Sequence, residues 1–132
     1  MLSRGLLGLL GLFHLANGLF MVGDPDGWYW ATPGVSQTGP MNHHFIVDIG
    51  LAFLVSGAGM TIGLRPGRIA AILALAGATW PALHALFHVW EWLAVGFPRD
   101  PRVAALEALG VVVVGLLGLA LATARARKEG AI

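Results

Sequence analysis

Three histidine-bearing stretches hold most of the reactive side chains: "GLFHLANG" around His14, "NHHFIVD" from Asn42 to Asp48, and "HALFHVWEW" from His84 to Trp92. Glu107 adds one more carboxylate further along. On a helix, His44 and Asp48 are i,i+4 neighbours, as are His84 and His88, with Glu91 three residues beyond, so each set lies along one face. Neutral imidazole and carboxylate together suit Fe, Mn, Zn or Cu(II). The chain has no cysteine, which removes thiolate sites, disulfides and a soft Cu(I) centre.

Di-metal carboxylate bundles draw one carboxylate from each of two helices and a Glu-x-x-His pair from each of the other two. The inventory here is close, with the order reversed. Asp48 and Glu107 stand singly, His14/Asn17 and His88/Glu91 form i,i+3 pairs, and His44 and His84 are extras. The candidate metal ligands are therefore His14, His44, Asp48, His84, His88, Glu91 and Glu107, of which a site would use a subset. Mixed ligation with an open position suits a metal-dependent oxidoreductase, or simple metal holding. Asn17 is placed to orient a ligand histidine. His43, rotated by about 100° from the Asp48 face, is expected to meet lipid headgroups.

Three other readings use the same residues. Haem b, held by histidines on facing helices, is the competing cofactor, although the carboxylates are surplus to it and a glycine-rich bundle packs tightly. Chains of His, Asp and Glu also relay protons or metal ions across membranes. A transporter should carry such groups on both sides, and here one half has none. As an accessory subunit of a larger membrane complex, or a homo-oligomer, the chain would use its polar cluster only as hydrogen-bonding glue between helices.

The elements that must position these groups follow from composition. Of 132 residues, 57% are hydrophobic and 11% charged, where a soluble domain carries about a quarter. A net charge of +1 gives no reason to expect a nucleic-acid partner. A membrane-spanning helix needs about 20 apolar residues. Four stretches qualify, over 4–23, 43–64, 69–95 and 103–124, giving an all-α integral membrane four-helix bundle in one domain, 1–132. The first is expected to be a retained helix, because no A-x-A-like site closes it. The loop 24–42, with its "GDPDG" turns, is expected to act as a lid.

Arg4, Arg65, Arg68, Arg125, Arg127 and Lys128 fall on one side of this topology, and only Arg99 and Arg102 on the other. The positive-inside rule therefore predicts cytoplasmic termini, with Trp28, Tyr29, Trp30, Trp90 and Trp92 in the outer aromatic belt. All five histidines then lie in the outer half. Small residues continue the polar faces: Gly11 and Gly18 by His14, Ala52 and Gly59 by Asp48, Gly77 by His84, Gly110 and Gly118 by Glu107. Small residues let membrane helices approach closely, which predicts polar stripes turned inward from all four spans. Placing a charge in the bilayer costs at least about 2.5 kcal/mol, which favours the same arrangement.

"LFHLANGL" and "LFHVWEWL" align as Leu-Phe-His, two residues, then Asn17 or Glu91, and Leu two later. The pattern suggests two related helical hairpins. Four short spans with a polar outer half resemble small uncharacterised bacterial four-helix membrane proteins, DoxX-like ones among them. The resemblance covers the helix count and the "NHHFIVDIG" start of the second span. It implies the fold and a bacterial inner (cytoplasmic) membrane, and it carries no activity and no residue role.

Overall fold

The computed structural model describes residues 2–132, and among them every regular element is helical. Four helices are long and apolar enough to cross a membrane. α1 spans Leu2–Gly23, α4 His43–Ile62 and α5 Arg68–Ala94. The fourth runs over Pro101–Lys128 as α6 (Pro101–Ala105), a π-helical stretch (Leu106–Val113) and α7 (Val114–Lys128). The sequence placed all four spans, missing the last one's ends by a few residues.

The region 24–42 departs from the expected loop. It folds into α2 (Pro25–Ala31) and α3 (Val35–Thr38). Asp24 caps α2 by accepting from the Gly27 amide, and Pro25 occupies the first helical turn, where it has no hydrogen bond to lose. Gly34 then supplies the left-handed conformation (φ +87°) that lets the chain turn into α3.

Glycines set the helix spacing. A Cβ on Gly57 would lie 2.6 Å from the Gly11 carbonyl oxygen, and one on Gly18 would lie 2.7 Å from the Gly50 carbonyl oxygen, so α1 and α4 touch backbone to backbone. A Cβ on Gly77 would come within 2.6 Å of the Ser56 carbonyl oxygen, which fixes the α4–α5 seam. Gly115 of α7 packs directly under the Pro81 carbonyl of α5. By contrast α1 and α7 touch sparingly. The interior holds Leu7, Leu10, Met60, Ala74, Ala78 and Ala122. Leu9, Val55, Ile69 and Leu93 point outward from the same helices.

The two ends of the bundle differ. At the basic end, Glu129 accepts from Arg4 (3.1 Å), from Arg125 (3.2 Å) and from the Gly67 amide (3.1 Å). Arg125 also donates to the Arg65 carbonyl. One carboxylate thus ties α1, the α4–α5 turn and α7 together. At the capped end, Tyr29 is buried against Met21 and Ile46 and donates to the Gly39 carbonyl at 2.7 Å, so it is a core residue rather than a belt anchor.

Candidate functional site

The side chains singled out by type fall into three places. His88, Glu91 and Glu107 form the tightest group. Oε2 of Glu107 is 3.5 Å, and Oε2 of Glu91 3.8 Å, from Nδ1 of His88. Both exceed a good hydrogen bond. Nδ1 of His88 is buried and has no hydrogen-bond partner. The same Glu107 oxygen is held by Trp92, whose indole N–H donates to Oε2 at 2.7 Å. Trp92 was expected in an aromatic belt; it is instead a polar partner of the cluster. Glu107 lies in the π-helical stretch, a geometry that recurs at functional sites.

His84 adjoins this group. Its ring is perpendicular to that of His88 at 4.8 Å between centroids and stacks on Trp80, 9° from parallel. It also lines a gap of about 20 Å³ with His14, Phe53, Pro81, Gly110 and Val111. That volume holds about one water. Drug-sized ligands need about 300 Å³ or more, so no haem-sized space separates His14 from His84.

His14 stands apart from the carboxylates. It is buried, and its Nδ1 lies 2.7 Å from the Leu10 carbonyl, to which it can only donate, leaving Nε2 as the nitrogen with a free lone pair. Towards the basic end the polar series stops, because Leu7, Leu10 and Met60 fill the interior there. Asn17 does not orient His14: its Oδ1 accepts from Trp28 Nε1 at 3.0 Å, docking α2 onto α1.

The expectation that all four spans contribute fails at α4. His44 and Asp48 pair with each other at 3.2 Å on the bundle exterior, with side chains 90% and 56% exposed. Close contact between α4 and α5 reaches outward to Phe53 on Trp80, and His44 and Asp48 lie beyond it. Their face therefore has no helix opposite. His43, expected at headgroups, pairs with Asp26 of α2 at 3.3 Å. The α2–α3 unit sits on the α1–α4 side and reaches the fourth span where Gly34 meets Val103, so it caps that side instead of covering His88.

Among the described residues no group of three or more His, Asp or Glu side chains is preassembled to hold a metal ion. The His88, Glu91 and Glu107 donors come nearest in kind, and Glu91 is the loose member, its side chain 43% exposed. Comparison of the chain with protein-family models, with curated proteins and with solved structures returned no match.

Proposed function

We propose that this chain is an integral membrane protein that holds a single divalent metal cation at His88, Glu91 and Glu107. Its outward-facing leucines, isoleucines and valines support the membrane reading. The gathering of Arg4, Arg65, Arg125 and Lys128 at one end supports cytoplasmic termini. The bacterial inner membrane is the setting that the four-span resemblance implies.

One observation carries the metal reading. The buried, unpartnered Nδ1 of His88 faces two carboxylate oxygens at 3.5 and 3.8 Å. A zinc-like ion bound at 2.0–2.2 Å in tetrahedral geometry sets its ligands about 3.3–3.6 Å apart. Such a spacing is too long for a good hydrogen bond and close to what a shared cation needs. Glu91, its side chain 43% exposed, is the donor with room to move toward such an ion. The Trp92 N–H holds that same Oε2 in place, as outer partners of metal ligands do. Three donors leave a position open, so the site suits metal holding and admits metal-dependent redox chemistry. With His44 and Asp48 outside and His14 apart, the donor count favours one ion over two.

Metal content of the detergent-purified protein, measured by mass spectrometry alongside a visible spectrum, tests this. About one equivalent of Fe, Cu, Zn or Mn is expected, falling more than tenfold in His88→Ala and in Glu107→Gln. A Soret band would replace the metal with haem. A second reading has its own support: Glu107 already accepts a hydrogen bond, so the cluster serves as structural glue in a subunit of a larger membrane complex. No metal, together with a loss of thermal stability in Glu107→Gln, selects that reading.

A further inference from the structure

A second cavity lies at the opposite end from the histidines. About 170 Å³ opens between the first turns of α1 and the last turns of α7, lined by Ser3, Arg4, Leu7, Leu121, Arg125 and Lys128. It falls in the α1–α7 seam, the most sparsely packed of those between neighbouring spans. Its chemistry is divided along its depth. The mouth, at the basic end, is formed by three cations. Leu7 and Leu121 lie one turn further along their helices, towards the apolar middle of the bundle.

The cations are not balanced. Glu129 takes hydrogen bonds from both Arg4 and Arg125, and no ion pair among the described residues involves Lys128. Three positive side chains therefore face one carboxylate. Arg125 is the informative member. Its side chain is only 5% exposed, and its Nε is a buried donor with no partner. A buried guanidinium with an unused N–H costs stability until an acceptor meets it. Guanidinium and ammonium groups together select phosphate oxygens.

We propose that this seam binds an anionic phospholipid, its phosphodiester seated among Arg4, Arg125 and Lys128 and an acyl chain lying against Leu7 and Leu121. Basic pockets between spans on the cytoplasmic side take acidic lipid headgroups by this same logic. The inference rests on the membrane placement of the chain and is independent of the metal reading.

The test uses the full chain purified in detergent, after its fractionation with membranes has been checked separately. Native mass spectrometry measures retention of phosphatidylglycerol against phosphatidylcholine of equal chain length, with inorganic phosphate as a competitor. Phosphatidylglycerol should be retained at least tenfold better, and millimolar phosphate should not displace it. Lys128→Gln should cut that preference several-fold. Ala124→Trp, which puts bulk at the cavity wall without removing a charge, should abolish retention while circular dichroism stays helical. Arg127→Gln, on the same helix but outside the lining, should change nothing. Equal retention of the two lipids overturns the proposal, as does full displacement by phosphate, which would assign the site to a free anion. Unchanged retention in Ala124→Trp, or an equal loss in Arg127→Gln, also overturns it. A chain that fails to fractionate with membranes would instead remove the membrane placement itself.

Discussion

Trp92 and Glu107, fifteen residues apart, are joined by a 2.7 Å hydrogen bond from the indole N–H to Oε2, the same oxygen that faces Nδ1 of His88 at 3.5 Å. The indole thus fixes where the carboxylate presents its charge. Trp92→Phe keeps most of the ring's packing and deletes the donor. A hydrogen bond to a charged group is worth about 1.5–3 kcal/mol, and thermal unfolding in detergent should report a loss in that range. Metal retention should fall about 10- to 100-fold, as when an outer partner of a ligand is removed. Unchanged unfolding would mean that the bond is not formed in the folded protein.

His44 and Asp48 form an exposed pair with no third partner, so it contributes little. His44→Ala with Asp48→Asn should shift stability by less than about 1 kcal/mol and leave metal content as it was. A metal loss matching that of His88→Ala would bring α4 back into the site.

The α1–α4 seam leaves no room for a side chain. Gly57→Ala places a Cβ 2.6 Å from the Gly11 carbonyl and 2.7 Å from the Leu15 amide nitrogen, and the helices must separate to admit it. Overpacking of this kind costs about 1–3 kcal/mol. Gly5→Ala meets nothing within 4 Å and should gain up to about 1 kcal/mol of helix propensity. Chemical unfolding of the two variants should therefore move in opposite directions.

The α2–α3 cap is docked through the Trp28 hydrogen bond to Asn17 and through Tyr29 packed against Met21 and Ile46. Asn17→Ala leaves the indole N–H without its acceptor, at a cost of about 1 kcal/mol. Hydrogen–deuterium exchange should rise across Pro25–Ala31, while α5 keeps its protection. A uniform rise over the whole bundle would show that the cap does not open by itself.

The four spans were legible because length and apolar composition alone decide them, whichever way each helix is turned. Rotation was harder to read. Asp48 lies within about 20° of Gly59 around the helix but about 180–200° from Gly57 and Gly50. The first alignment suggested an inward face, since Gly59 does pack on α5. At the depth of Asp48 this face is exposed all the same, and one-dimensional spacing does not record where two helices part. The cap was missed for a different reason. Asp24 followed by Pro25 is a helix start, and the glycines on either side made it look like a turn. The pairing of Trp92 with Glu107 is tertiary, and nothing in "LEALGVVV" marks the wider turns that carry Glu107. His88 with Glu91 survived because i,i+3 neighbours stay together however the helix is rotated.

Glu129 is synthesised after all four spans, yet it is the residue that joins Arg4 of the first to Arg125 of the last. The glycine seams that join α1, α4 and α5 are by contrast complete in the chain before this joint can form. The last contact the growing chain can make is thus a clasp that closes its final helix against its first.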